Sequence, residues 1–248
     1  MTTKSMRVIV TRPEPECSRW VDAMRLEGLS AVALPLIEIA SIPFVFDASQ
    51  NYDAFVFVSR SAVAGFFKIQ SIAALQGSRV LVSGLGTAAS LMQHGLQVDV
   101  IDAPAVDAKQ FDSEALWRVV GVRNWQGKRL LVVRGANNLG EQEGRPWLAD
   151  QLTAAGAVVD FVVTYERRLP MLQATQDEAL AVTAKDVWLF SSSQAIQHLK
   201  LLAPSKDWSS CQALTTHPRI QLAAYEAGFG DVHVVRPVLA DVIAKLKN

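Results

Sequence analysis

The chain has 248 residues, half of them hydrophobic and 19% charged, enough apolar material for one large core or for two domains of roughly 120 residues each. Lysine plus arginine balances aspartate plus glutamate at 24 each, so no global basic field draws the protein to nucleic acid or to a membrane surface, and any anion site has to be made locally. The two cysteines, Cys17 and Cys211, cannot build a disulfide framework and have no metal-ligand neighbour at short spacing, which suits a reducing cytoplasm.

Met1–Arg7 runs into the strand-like Val8-Ile9-Val10 without an apolar signal region, and no later apolar run approaches the ~18 residues of a membrane span. A soluble cytoplasmic protein is expected. Strand-like and helix-like runs then alternate along the chain, as in a parallel α/β architecture. Arg7–Thr11 predicts the first strand. Glu16–Glu27 predicts a helix with Trp20, Met24 and Leu26 on its buried face and Gly28 as its stop. Ala31–Ile39 reads as one strand, followed by a strand at Ala54–Val58, a helix at Ala62–Lys68 and a strand at Arg79–Ser83. Gly86–His94 reads as a helix closed by Gly95, and Val98–Ile101 as a further strand. The runs are continuously apolar, as in strands covered on both faces.

Internal similarity organises the rest. Tyr52-Asp53-Ala54-Phe55-Val56-Phe57-Val58-Ser59-Arg60-Ser61-Ala62-Val63 resembles Lys185-Asp186-Val187-Trp188-Leu189-Phe190-Ser191-Ser192-Ser193-Gln194-Ala195-Ile196. Arg7-Val8-Ile9-Val10-Thr11-Arg12 resembles Arg129-Leu130-Leu131-Val132-Val133-Arg134, each leading through a helix to a glycine, a strand and an acidic residue (Glu38, Glu166). The chain therefore reads A1–B1–A2–B2, in units too short to bury their own sheets. The units can pair in sequence, or they can interleave, B1 with A2 and A1 with B2, with crossings near Ile39–Phe46 and Tyr165–Met171, where Pro43 and Pro170 suit extended connectors. The residues alone leave both pairings open.

Val10-Thr11-Arg12-Pro13, Leu34-Pro35-Leu36-Ile37-Glu38-Ile39, Asp53 through Val63, Gly84-Leu85-Gly86-Thr87-Ala88 and Val133-Arg134-Gly135 stand in order along the chain. They are followed by Gly156 through Asp160, Val163-Thr164-Tyr165-Glu166-Arg167, Phe190 through Ala195 and His217-Pro218-Arg219-Ile220. No one of these motifs is specific, but the ordered series resembles the uroporphyrinogen-III synthase family over essentially the whole chain. The resemblance implies an α/β fold of two flavodoxin-like lobes with parallel sheets, interleaved by chain crossover and joined by a two-stranded connector. Lobe 1 is expected from residues 1–38 and 170–248, lobe 2 from 44–164, and the connectors from 39–43 and 165–169, with the active site in the cleft between lobes. Hydroxymethylbilane is the implied substrate. Its terminal hydroxyl leaves, the azafulvene is attacked by the substituted end of the last pyrrole, and the spiro-pyrrolenine fragments and recloses with that ring inverted. Neither a metal nor an organic cofactor is implied, and a monomer with transient contact to hydroxymethylbilane synthase is expected. Val58 departs from the threonine frequent in the family and Ser61 from its asparagine, and the tract Ala136–Gly144 before Arg145 is longer than usual.

The bilane carries four acetates and four propionates, and helix N-termini hold carboxylates through unpaired N–H groups and the helix dipole. The strand-to-helix turns Thr11–Glu14, Ser59–Ala62, Gly84–Ala88, Ser191–Gln194 and Thr216–Arg219 are the candidates, at the carboxyl ends where doubly wound sheets bind ligands. From them Ser59, Ser61, Gly84, Thr87, Ser192, Ser193, Thr216 and His217 are expected substrate contacts, against a competing role as helix caps. Arg12 and Arg134, equivalent in the repeat, are expected to bind carboxylates, against ion pairs with Glu38 or Glu166. Arg60, Arg145 and Arg219 are weaker candidates for the same role and read as solvated. Tyr165 is the expected catalytic residue, its phenol assisting hydroxyl departure, against a core tyrosine with a satisfied hydroxyl. His94, His198, His217 and His233 lack metal-ligand spacing.

Two other classes compete. Gly84-Leu85-Gly86-Thr87-Ala88-Ala89 after a strand, with Asp102 about 20 residues on, matches a dinucleotide fingerprint. It does not lie in the first βα unit, and its repeat partner Thr215–Ile220 has no glycine. A non-catalytic bilobed anion-binding protein is the other reading, and turnover separates it from an enzyme.

Overall fold

The structure, a computed structural model, describes residues 6–47, 49–137, 146–172, 180 and 186–247. In chain order the described elements are β1 (Val8–Val10), α1 (Glu16–Leu26), β2 (Ala31–Ala33), β3 (Glu38–Ser41), β4 (Ala54–Phe57), α2 (Arg60–Phe67), β5 (Arg79–Val82), α3 (Leu85–Gln93), β6 (Ile101–Asp102) and α4 (Ser113–Val120). They continue with β7 (Arg129–Asn137), α5 (Trp147–Ala154), β8 (Val158–Arg168), β9 (Val187–Phe190), α6 (Ser193–Leu202), β10 (Gln212–Thr215), α7 (Pro218–Glu226), β11 (Asp231–Val234) and α8 (Leu239–Lys247). One sheet runs β11-β10-β9-β1-β2 and the other β3-β8-β7-β4-β5-β6, with parallel pairing throughout both repeat cores. The chain divides into two compact units, Met1–Glu38 with Arg168–Asn248, and Ile39–Arg167.

Strand pairing decides which repeat segments combine. β1 pairs with β9, Val8 opposite Val187, and β4 pairs with β7, Ala54 opposite Leu130, so A1 shares a sheet with B2 and A2 with B1. The same side-chain logic recurs at both seams. Arg7 makes a two-pronged bond to Asp186 at 3.0 and 2.7 Å, and Asp53 accepts from the Arg129 backbone N–H and from Lys128 Nζ, both at 2.9 Å. Each acid opening a B strand is thus held by the basic residues opening its partner A strand. The hydrogen bond to Asp186 raises the pKa of the Arg7 guanidinium above its ordinary value.

Both sheets are covered on two faces, which is why β4 and β9 are buried at every residue. In the second unit Phe55, Phe57, Val82, Val133, Val162 and Tyr165 meet Ala62, Val63 and Phe66 of α2 and Leu91 of α3. The opposite face sets Val56, Leu81, Leu130 and Val132 against Leu116 and Val120 of α4 and Leu148 and Leu152 of α5. In the first unit Val8, Val10, Val187 and Leu189 pack on α1 and on Val242 of α8. Trp188, Phe190, Trp208 and Phe229 form an aromatic cluster there with centroids 5.2–6.3 Å apart.

Three sequence expectations are corrected. The buried face of α1 is Cys17, Trp20, Val21 and Met24, spaced i, i+3, i+4 and i+7, while Leu26 is 89% exposed because it lies two positions round from Met24. Ala31–Ile39 is not one strand. After β2 the chain still bonds β1 through Leu34 and Leu36, but Pro35 between them has no N–H to give, and β3 belongs to the other sheet. Val98–Val100 is a short 3₁₀ turn, and the strand begins only at Ile101. Residues 39–43 and 165–169 run through β3 and the end of β8, neighbouring strands of the six-stranded sheet.

Asp186 is fully buried while Asp53 is 40% exposed at the side chain, which separates the two seams energetically. Replacing Asp186 by alanine leaves the part-buried Arg7 guanidinium without its carboxylate partner and is expected to cost about 1.5–3 kcal/mol. Asp53→Ala is expected to cost under about 1 kcal/mol. Urea midpoints of the two variants check this order.

Candidate functional site

The site begins with an irregularity between β7 and β8. Arg134 pairs with Val163 but Gly135 pairs with Tyr165, so Thr164 is an extra residue on β8, a β-bulge. Without it, alternation would set Tyr165 on the face opposite Val162. With it, Tyr165 joins Val162 on the α2 face and is 1% exposed. Its ring lies over Gly135, where an added Cβ would meet the ring and hydroxyl at 2.5–2.9 Å.

The bulged Thr164 is fully buried, and Ile42 N–H donates to its carbonyl at 3.2 Å. Helix α2 rests directly on it. A Cβ at Gly65 would lie 2.7 Å from the Thr164 carbonyl oxygen, and Thr164 Oγ1 donates to the Ala62 carbonyl at 3.4 Å. This close approach places the start of α2. Its N-cap is Ser59, whose Oγ accepts from Ala62 N–H at 3.2 Å and stands 2.9 Å from the Tyr165 hydroxyl. Arg167 Nη2 donates to the same phenolic oxygen at 3.4 Å.

A cavity of about 210 Å³ opens beside these groups within the second unit, lined by Val58, Ser83, Ser113, Arg134, Gly135, Phe161, Tyr165 and Arg167 among others. That is smaller than the ~300–1,000 Å³ of sites that enclose a drug-sized molecule, and suits one substituted ring or its carboxylates. Arg134 is 6% exposed, with its guanidinium carbon 5.5 Å from the Phe161 ring centre. A buried arginine over an aromatic ring, in a cavity that hydroxyl-bearing side chains also line, is a strong site for a carboxylate because little water screens it.

The other expected residues occupy helix starts. Gly84 is the N-cap of α3, with Thr87 buried in its first turn, and Ser61 is half-buried in the first turn of α2. In the first unit Ser192 caps α6, accepting from Gln194 N–H at 3.2 Å, and Ser193 is that helix's first residue. His217 caps α7 by accepting the Arg219 N–H on Nδ1 at 3.1 Å, and Thr216 donates its N–H to the Phe190 carbonyl. Arg12 lies 4.2 Å over the Trp20 ring. The geometry brings Tyr165, Ser59 and Arg134 to one place. Ser61, Gly84 and Thr87 stand on neighbouring turns, and Arg12, Ser192, Ser193, Thr216 and His217 are in the other unit. Arg145 and the tract 138–144 lie outside the described residues.

A family model described as "Uroporphyrinogen-III synthase HemD" matches residues 18–238. The chain belongs to the uroporphyrinogen-III synthase family. Its curated relatives include the uroporphyrinogen-III synthases of Escherichia coli strain K12, 29% identical over 92% of this chain and 94% of the relative, and of Salmonella typhimurium, 28% identical over the same shares. Among solved structures it is similar in fold to the uroporphyrinogen-III synthetase of Helicobacter pylori, with TM-score 0.63 and 18% identity over 98% of each chain. A mutant uroporphyrinogen III synthase of Thermus thermophilus aligns with TM-score 0.58 and 15% identity, again over 98% of each chain.

Family membership leaves the Gly84-Leu85-Gly86 fingerprint to be explained, and the explanation is steric. The Arg60 guanidinium lies where a Gly86 Cβ would stand, so the glycine makes room for a side chain, not a pyrophosphate. Burial lowers the Arg60 pKa from its ordinary value, so this arginine is not the solvated residue expected. Asp102, in the position of the ribose-binding acid, is held by Arg79 at 2.7 and 3.1 Å and by Arg123 at 2.5 Å. Among the described residues no group of three or more histidines, cysteines or acids could hold a metal. No described helix is long and apolar enough to cross a membrane.

Ser83, Ser113, Gly135 and Arg167 are the site residues that sequence reasoning did not single out. A signal existed for two of them. A glycine inside a strand, as in Arg134-Gly135, marks a bulge or close approach, and residues i and i+2 on a strand share a face, as Tyr165 and Arg167 do.

The glycines give a graded test. Gly65→Ala and Gly135→Ala meet backbone or an immobile core ring, and are expected to cost about 1–3 kcal/mol each. Gly86→Ala meets only the end of a flexible arginine and is expected to cost less than about 1 kcal/mol. Thermal or urea unfolding of the three variants measures the difference.

Proposed function

We propose that the chain converts hydroxymethylbilane to uroporphyrinogen III with the second-unit cavity receiving the hydroxymethyl-bearing ring and Tyr165 acting as the general acid. The observation that carries this is the Tyr165 hydroxyl, buried on a bulge beside a cavity that also holds Arg134 and Arg167 and bonded to Ser59 at 2.9 Å. The pyrrole nitrogen lone pair drives out the hydroxyl, which takes the Tyr165 proton and leaves as water. The substituted end of the last pyrrole then attacks the azafulvene carbon. The spiro-pyrrolenine fragments and recloses with that ring inverted, and the proton released on rearomatisation returns to the phenolate. Protons therefore balance over one turnover, and the only net product besides the macrocycle is water.

Arg134 is proposed as a carboxylate anchor in the cavity. Ser61, Gly84 and Thr87, with Arg12, Ser192, Ser193, Thr216 and His217 in the first unit, are proposed as further contacts to the acetate and propionate groups. What supports this reading is that the named turns follow the carboxyl ends of parallel strands, where N–H groups and small polar side chains concentrate. The reading takes each unit as a flavodoxin-like lobe, supported by the strand order β2-β1-β9-β10-β11, which is 2-1-3-4-5 within the first unit. It also includes a cytoplasmic monomer without metal or organic cofactor, in transient contact with hydroxymethylbilane synthase.

The test generates hydroxymethylbilane in situ, adds purified protein without metal or nucleotide, oxidises the products and separates the uroporphyrin isomers. Spontaneous closure yields the type I isomer, so type III in proportion to protein is the expected result, and type I alone from folded protein overturns the assignment. Tyr165→Phe is expected to lower kcat about 10²-fold, the low end of a general acid's contribution. Arg134→Lys is expected mainly to raise KM, because an ammonium cannot reproduce the two-pronged carboxylate bond. Full turnover by Tyr165→Phe would remove the phenol from the mechanism.

A further inference from the structure

We infer that Arg167 is a positioning residue for the proton carried by Tyr165, an inference that rests on the general-acid reading above. A phenolic oxygen carries one proton and can accept two hydrogen bonds, while a guanidinium only donates. Arg167 Nη2 donates to the Tyr165 oxygen at 3.4 Å, with its guanidinium carbon 5.9 Å from the ring centre. Ser59 Oγ stands 2.9 Å from the same oxygen, and either hydroxyl can be the donor in that contact.

Two arrangements of protons satisfy these distances. In one, Tyr165 donates to Ser59, and the phenol has no proton left for a substrate. In the other, Ser59 donates to Tyr165, the two acceptor positions of the phenolic oxygen are filled by Ser59 and Arg167, and the phenolic proton is free for the cavity that Tyr165 lines. Ala62 N–H already donates to Ser59 Oγ at 3.2 Å, which occupies one Ser59 lone pair and leaves its proton to be given away. The second arrangement is the one a general acid needs. Once the proton has gone to the departing hydroxyl, the same two donors face a phenolate, one of them carrying a full positive charge. Hydrogen bonds to charged groups strengthen as that charge develops, so Arg167 stabilises the transition state more than the ground state.

Arg167 can be placed there because of the bulge. Tyr165 and Arg167 are i and i+2 on β8, beyond the extra residue Thr164, so both leave the strand on one side. Arg134, the buried arginine that also lines the cavity, sits before the bulge and packs on Phe161. The two arginines therefore have separate tasks, Arg134 on the substrate and Arg167 on the phenol.

A double-mutant cycle tests this. Wild type, Arg167→Gln, Arg167→Lys, Tyr165→Phe and Arg167→Gln/Tyr165→Phe are compared for kcat and KM in the isomer-resolved assay, with unfolding midpoints measured alongside. Arg167→Gln is expected to lower kcat by about 10–100-fold with KM little changed, in line with the strength of a charge-assisted hydrogen bond. Arg167→Lys, which keeps a charged donor, is expected to recover most of that loss and also serves if the glutamine variant folds poorly. In the Tyr165→Phe background Arg167→Gln is expected to have no further effect. Equal losses in both backgrounds, a loss confined to KM, or an unchanged kcat would overturn the positioning role while leaving the general acid standing. Tyr165→Phe at full turnover would instead overturn the reading on which this inference rests.

Discussion

The close approach of helix α2 to the bulged Thr164 governs the geometry of everything around the second-unit cavity. An extra residue in β8 costs one ladder contact and turns the strand's face, and the helix can settle on it only because Gly65 presents no side chain to the Thr164 carbonyl. From that contact follow the position of the α2 N-terminus, of its cap Ser59, and of the hydroxyl that Ser59 holds. Gly135 serves the same arrangement from the β7 side, leaving the space that the Tyr165 ring fills. Two glycines and one inserted residue thus set a phenol ring in the core while its oxygen stays in a hydrogen-bonded chain.

Charge is distributed in a way that fits this plan. Net charge is zero over the whole chain, yet Arg60, Arg134 and Arg167 gather near the carboxyl ends of β4, β5, β7 and β8 in one unit. Partial burial makes each of them more effective toward an anion than a surface lysine, because less water screens it. Three well-paired acids lie elsewhere. Asp186 and Asp53 hold the amino ends of the paired strands, and Asp102 takes two arginines at the start of β5 and beyond α4. The two cysteines belong to the cores. Burial pushes the Cys17 thiol up to about 12, with its Sγ donating to the Val10 carbonyl at 3.0 Å, so it is no nucleophile.

Much of this was legible in the residues. Alternating apolar runs and glycine stops placed the elements, and Gly28 and Gly95 do take the left-handed backbone that closes α1 and α3. The internal repeat set Asp53 and Asp186 at equivalent positions, and Arg7 and Arg129 likewise, which fits sequential and interleaved pairing equally. Periodicity failed where local chemistry changed within a run. Pro35 interrupts the apparent strand Ala31–Ile39, whose two ends serve different sheets, and Leu26 is hydrophobic but lies on the exposed side of its helix.

By itself the sequence determined the α/β class, the repeat, the family and the residue types at each strand-to-helix turn, because these depend on short-range pattern and order. Tertiary structure alone decided which repeat segments share a sheet, since pairing joins residues 76 and 179 positions apart that no local pattern links. It also decided the face on which Tyr165 lies. Strand alternation read through Thr164 predicts one face, and the bulge, visible only against the partner strand β7, delivers the other. A one-residue change of register inverts every side chain beyond it, and register is a property of two strands.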